Sequence, residues 1–178
     1  MENLSIRPML AEDVPLLTEY WQSASREHLL GMGADPDKLP DREEMQSFLL
    51  DLLEQPIEKR SSYAVIWQID GQPAGHSNVN QLTFGEQGKM HLHLWNGPHR
   101  QRGMGAQLVQ LSVLHFFEVL QLQTLFCEPY AENPAPNKTL PKAGFKYVKT
   151  YRTTPGSINF EQEVNQWIFT REMLPLRS

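Results

Sequence analysis

Residues 99–108 read HRQRGMGAQL, between a stretch that alternates like a strand and a longer one with helical spacing. Two glycines one residue apart, Gly103 and Gly105, follow Arg100 and Arg102. Three phosphate-binding loops compete for such a stretch. A nucleotide P-loop needs Lys and then Ser or Thr directly after its last glycine. Here Ala106 and Gln107 follow Gly105, so that reading fails. A dinucleotide fingerprint needs Gly or Ala three residues after the second glycine, where Leu108 stands. That fails too. Two readings stay open. One is a strand–loop–helix junction whose amides, from Gln101 through Met104 to Ala106, converge on a single anion. The other is a plain helix entry with flexible glycines. Close backbone approach at glycine and the positive end of a helix suit the first, and Arg100 and Arg102 add full charges.

The rest of the chain sets the context. A length of 178 residues holds one domain with a full core, and a 40% apolar, 21% charged composition is that of a soluble globular protein. The net charge of −5 argues against a nucleic-acid partner held by bulk electrostatics. No stretch approaches the ~20 apolar residues of a membrane span. The start, MENLSIRPML, lacks a basic lead and an apolar signal core. A single cysteine, Cys127, excludes an internal disulfide. The expectation is a cytoplasmic domain that needs neither membrane nor nucleic acid.

Along the chain, LSIRPM reads as a strand ended by Pro8. AEDVPLLTEYWQSA follows as a helix with Val14, Leu17, Tyr20 and Trp21 on one face and Pro15 in its first turn. GMGADPDKLPD is a loop, and REEMQSFLLDLLEQ a second amphipathic helix closed by Pro56. SYAVIWQI and PAGHSNVNQL flank DGQ, a hairpin signal. KMHLHLW is a strand. From Met104, Leu108, Leu111, His115 and Val119 recur at helical spacing with Leu114 and Phe117 beside them. TLFCEPY, FKYVKTY and VNQWIFTRE read as strands around a short helix, NKTLPKAG, stopped by Gly144. With no repeat or low-complexity tract, residues 1–178 make one α+β domain.

The Arg-x-x-Gly-x-Gly of Arg100, Gly103 and Gly105, after a strand and opening a helix, resembles the acetyl-CoA pyrophosphate loop of the GNAT superfamily of N-acetyltransferases. HLHLWNGPHRQRGMGAQL followed by CEPYAENPAPNKTLPKAGF is similar in order and spacing to the branch of siderophore hydroxylysine acyltransferases and aminoglycoside 6′-acetyltransferases. Glu128, Pro129 and Asn133, then Lys142, Ala143, Gly144 and Phe145, stand at that branch's motif positions. The likeness covers residues 73–148 well; residues 22–60 and the tail match nothing specific. It implies a single domain with a mixed, mostly antiparallel twisted sheet flanked by helices. It also implies acetyl-CoA as acyl donor, with no metal. The pyrophosphate would lie over residues 100 to 106, and the pantetheine along Met90 to Trp95, at Leu94 and Trp95. Asn133, with Asn137 one helical turn on, would complete the cofactor contacts. Superfamily members often dimerise, which leaves a homodimer open.

Acetyl transfer from a thioester to an amine needs three things. The amine must lose its proton, the oxyanion must be stabilised, and the thiolate must be protonated. The family attacks directly in a ternary complex, so Cys127 reads as a core residue. His91 and His93 lie two apart on one strand and share a face. A metal pair lacks a third ligand at convincing spacing; ordinary strand residues and a general base both stay open. The resemblance points to His93, four residues before Gly97-Pro98, as the base, with His91 second. For the acid, Leu140 stands where many members carry tyrosine. Tyr130, where the siderophore branch has aspartate, is either that acid or a packing residue.

Three functions follow as expectations. The first is N-acetylation of a primary amine of a small molecule. The others are protein N-acetylation of the ribosomal-protein type and a catalytically silent acetyl-CoA-binding module. In this fold the segment joining the first two helices commonly walls the acceptor site. Here it carries Asp35, Asp37, Asp41, Glu43 and Glu44 against Lys38 and Arg42. Those carboxylates either steer a cationic acceptor or only solvate a loop and cap a helix, for which Asp41 is well placed.

Overall fold

The computed structural model describes residues 2–95 and 103–175. Its sheet is organised by the hairpin at Asp70-Gly71, whose φ angles of 50° and 77° suit the two-residue turns that match strand twist. Glycine takes this conformation without strain. The turn joins β2 (Tyr63–Ile69) to β3 (Gln72–Thr83). β1 (Leu4–Pro8) pairs antiparallel with β2 on one side, and β4 (Gln87–Leu94) pairs antiparallel with β3 on the other. The chain then crosses through α4 (Met104–Val119) and lays β5 (Thr124–Cys127) parallel to β4. A parallel neighbour requires such a crossover. β7 (Gln162–Thr170) pairs antiparallel with β5, and β6 (Lys146–Thr153) closes the far edge. The sheet is seven-stranded, ordered β1-β2-β3-β4-β5-β7-β6.

Strand alternation divides the core in two. Val65, Trp67, Val79 and Met90 face α4 and α5 (Pro134–Lys142), where Leu108, Phe116, Phe117 and Leu140 are fully buried. Each such side chain contributes about 1.5–3 kcal/mol by leaving water. Ala64 and Ile66 face the other way, onto Met9, Leu17 and the helices α1 (Val14–Ser23) and α3 (Arg42–Glu54). Arg7 of β1 fastens this second layer: its two terminal nitrogens donate to Asp13 at 2.6 and 2.7 Å, just ahead of α1. Asp13 is 2% exposed and also accepts from the Leu10 amide. Burial alone would raise its pKa, but these hydrogen bonds and the Arg7 charge outweigh it and hold the carboxyl below its ordinary value.

Two details differ from the sequence reading. Residues Arg26–Gly31 form a helix, α2, capped by Ser25 through the His28 amide. One and a half turns are too short to declare a period. The buried face of α4 is Leu108, Val109, Ser112, Val113, Phe116 and Phe117, while Leu114 is exposed and Leu111 and His115 are half-buried. Among the described residues no helix is long and apolar enough to cross a membrane.

Candidate active site

β4 and β5 part company after a few residues. Only Gln87–Lys89 pair with Thr124–Phe126. Beyond them β5 keeps only its partner β7, with Cys127 opposite Trp167, and β4 keeps only β3. In an antiparallel ladder alternate residues turn both backbone groups toward the same neighbour. The Trp95 amide donates to the Ala74 carbonyl of β3, so His93 and His91 face β3 as well. The intervening Met90 and Leu92 therefore turn their amides and carbonyls toward the gap. That gap opens into a cavity of about 900 Å³, floored by Met90 to Leu94 and Cys127 to Tyr130. A slender arm carrying amide groups fits an edge of this kind, because the strand offers donors and acceptors in ladder spacing.

One end of the cavity meets the start of α4. Gly103 caps the helix at φ 75°, a left-handed conformation that glycine adopts readily, and as a glycine it brings no side chain of its own to the first amides. Gly105 and Ala106 line the cavity, facing Thr139, Lys138 and Lys142 of α5. A Cβ built on Gly105 would lie 3.6 Å from Thr139. A helix start with two lysines lining the same cavity suits a phosphate group. Met104 is 6% exposed and anchors the helix in the core, so only its backbone faces this task. Arg100, Gln101 and Arg102 lie outside the described residues.

Asn133 stands at the N-cap of α5 and lines the cavity. Asn137, expected beside the cofactor, is not among the residues that line it. Its amide nitrogen donates to the carbonyls of Tyr130 and Asn133 at 3.0 and 2.8 Å. Its oxygen accepts from Asn165 and from the Trp167 indole, both at 3.0 Å. Both ends of the side chain are engaged in tying α5 to β7. The Trp95 amide donates to the Ala74 carbonyl, and its ring Nε1–H donates to His76 Nδ1 at 2.8 Å.

At the other end stand the histidines. His91 and His93 share the face of β4 that meets α1 and α2, and both line the cavity. Burial pushes His91 down to about 4, with the Lys89 cation adding to the effect and Glu128 opposing it. His91 is therefore neutral near physiological pH and a weak base. His93 sits in an aromatic nest. Its ring stacks on His76, centroid to centroid 4.7 Å, and meets the edge of Trp21 at 5.0 Å. Its Nδ1 lies 3.1 Å from Tyr20 Oη, which also lies 3.4 Å from His28 Nε2 and 3.4 Å from Met32 Sδ. His76 is 2% exposed, and burial, aided by His91, depresses it to about 3.

Sequence reasoning missed Tyr20, His28 and His76 as neighbours of this site. One signal was present: the hairpin between β3 and β4 sets His76 directly opposite His93, and counting back from its turn reaches that pairing within one residue. Tyr20 and His28 join only through the packing of α1 and α2.

Tyr130 donates its hydroxyl to Glu132 at 3.0 Å, which raises its pKa and keeps it protonated; its ring packs on Phe160. Glu128 is a tie between strands: it accepts from Lys89, Tyr151 and Gln166 at 2.6, 2.7 and 2.6 Å. Burial would raise its carboxyl, and these donors hold it low instead. Burial pushes the Cys127 thiol up, so it is no ready nucleophile. Among the described residues no group of three or more His, Cys, Asp or Glu could hold a metal ion.

The acidic loop lies off the cavity wall. Asp35 accepts from the Asp37 amide, Asp37 pairs with Arg26, and Asp41 caps α3 in a reciprocal pair with Glu44. The neighbouring backbone does reach the cavity. Gly33 accepts from Gln162 and Asn159, and the Asp35 amide donates to the Ile158 carbonyl. These bonds strap the loop after α2 to the β6–β7 connection, and Met32, Asn159 and Gln162 wall the histidine end.

A sequence model of the acetyltransferase (GNAT) domain matches residues 3–146. Several solved structures share the fold. The aminoglycoside acetyltransferase AAC(6′)-Ib, in complex with coenzyme A and kanamycin, superposes with a TM-score of 0.73 at 21% identity over 96% of each chain. RimL, a ribosomal L7/L12 alpha-N-protein acetyltransferase in complex with coenzyme A, gives 0.74 at 15% over 94% of this chain and 93% of its own. Spermidine N-acetyltransferase from Vibrio cholerae, with coenzyme A and spermine, gives 0.76 at 13% over 96% of each. No curated protein matches significantly by sequence.

Proposed function

Because this chain belongs to the acetyltransferase (GNAT) domain family and draws its acyl group from acetyl-CoA, we propose that it acetylates a primary amine of a small molecule by direct transfer. The carrying observation is the strap between residues 33–35 and 158–162, which bounds the histidine end of the cavity. A bounded pocket admits a slender amine and excludes a folded protein surface. Glu27 and Glu132 line the same cavity and favour an acceptor that arrives as a cation. Kanamycin and spermine, bound by two of the structural neighbours, are amines of that kind.

In this reading Met90 to Leu94 pair with the pantetheine arm, and the amides of Gly103 to Ala106 take the pyrophosphate with Arg100, Gln101 and Arg102. Asn133 stands beside the arm. Acetyl-CoA supplies the thioester carbonyl. His93 takes the proton of the attacking amine, and His91 is too weak a base for that role. As the new C–N bond forms and the C–S bond breaks, Tyr130 gives its proton to the departing thiolate. A cytoplasmic setting fits this donor.

A panel of amines with acetyl-CoA, followed by release of free thiol, tests the proposal. Turnover with small cationic amines is expected. Turnover confined to peptides with free N-termini would replace it by the protein-modifying reading, and none with any amine by a silent binding module.

A further inference from the structure

The strap that bounds the histidine end is fastened at one backbone carbonyl. Gly33 O accepts from Asn159 Nδ2 at 2.8 Å and from Gln162 Nε2 at 2.7 Å, one donor for each of its lone pairs. The second N–H of Gln162 goes to the Phe160 carbonyl at 3.0 Å, so the whole NH2 group is committed. Gln162 is 4% exposed, and Ala34, which bridges to Asn159, is 2% exposed. These bonds are made away from water, where an unmade hydrogen bond is costly. Gly33 makes the approach possible. Its φ of 81° is open to glycine, and a Cβ there would run into the Gln162 amide. The β6–β7 connection is also held farther back, where Gln81 Nε2 donates to the Pro155 carbonyl at 3.2 Å. Pro155, Asn159 and Gln162 line the cavity from this connection, and Met32, beside Gly33, lines it from the end of α2.

We propose that Gln162 is the specificity-determining residue of the acceptor site: by tying Gly33 to the start of β7 it fixes the width of the histidine end. That width admits a primary amine on a slender, unbranched stem. An amine on a branched carbon, as at the amino terminus of a peptide, needs the two segments to part, and parting them gives up the bonds to Gly33. The inference rests on the small-molecule reading above and adds to it the residue that enforces the choice.

Two variants separate the tie from the space it fills. Gln162→Met keeps a similar volume but cannot donate, and Asn159→Ala removes the other donor to the same carbonyl from a half-buried position. Thiol release from acetyl-CoA is compared for 1,6-diaminohexane and for a tetrapeptide with a free amino terminus. The wild type is expected to favour the diamine, and each variant to shift the ratio of kcat/KM toward the peptide by roughly tenfold or more. Calorimetric binding of coenzyme A at wild-type affinity shows that a variant is folded. Hydrogen exchange at the Asp35 amide, which donates to the Ile158 carbonyl at 2.7 Å, reads the strap without any acceptor and should be faster in both variants. A wild type indifferent to the two acceptors, or unchanged selectivity or unchanged Asp35 exchange in folded Gln162→Met, would overturn the role of Gln162. A wild type that acetylates the peptide and not the diamine would instead overturn the small-molecule reading, and the filter with it.

Discussion

Gly75 lies where β3 crosses behind the candidate base, and one methyl group there tests how rigidly the site is held. A Cβ at this position would come 2.5 Å from the His93 carbonyl oxygen, 3.1 Å from the Leu94 Cα and 3.1 Å from the Trp67 ring. The first two are backbone, and Trp67 is 1% exposed with its Nε1–H donating to Ser112, so no flexible side chain can yield. Restoring ordinary contact requires β4 to retreat by roughly 0.5–1 Å. Overpacking of this kind costs about 1–3 kcal/mol, which for a chain of this size lowers Tm by roughly 2–12 °C. The retreat carries His93 and the edge of Met90 and Leu92 proposed to pair with the acyl donor. Misplacement of a reacting group by ~1 Å can cost ~10²-fold in rate. Gly75→Ala should thus remain folded with a lowered Tm, bind coenzyme A more weakly by calorimetry, and turn over roughly 10- to 100-fold more slowly by thiol release. A folded variant with wild-type affinity and turnover would refute the placement of the site on this strand.

Gly105→Val places a branched side chain beside the first amides of α4 and near Thr139, where the pyrophosphate would lie. The expected result is a loss of coenzyme A affinity of tenfold or more by calorimetry, with melting little changed. Asp13→Ala leaves the Leu10 amide and the Arg7 guanidinium without their acceptor, and should cost about 1.5–3 kcal/mol by denaturant titration. Asp13 titrates lower when folded than when unfolded, so its contribution is full above about pH 5 and fades as the pH falls through the folded pKa. The gap between variant and wild type should close in that acid range.

Where local chemistry decides the structure, the chain was readable in advance. The Asp70-Gly71 turn, the alternation of the strands beside it and the glycine that caps α4 each carry a backbone requirement in a few adjacent residues. Pro15 in the first turn of α1 and Asp41 ahead of α3 mark helix starts for the same reason. What stayed hidden depends on partners distant in sequence. That Asn137 ties α5 to β7 through Asn165 and Trp167 is one such case. The acidic stretch around Asp37 had the right charge for an acceptor wall, but Arg26 and the local caps take it up. The histidine site was half visible: the alternation of MHLHLW displays His91 and His93, whereas His76 needs the strand register and Tyr20 the packing of α1. The buried stripe of α4 was off by a third of a turn because Leu111 and Leu114 are as apolar as the residues that face the sheet.

The role of His93 in deprotonating the acceptor is tested most directly by the pH dependence of thiol release from acetyl-CoA, in wild type and in His93→Gln, with an amine that the wild type acetylates. Near neutral pH the variant should be slower by roughly 10²-fold or more, the worth of a positioned base, with coenzyme A affinity unchanged. The deficit should shrink as the pH rises and the amine loses its proton unaided. Wild-type turnover in His93→Gln at neutral pH, or a deficit of the same size at every pH, would contradict that role.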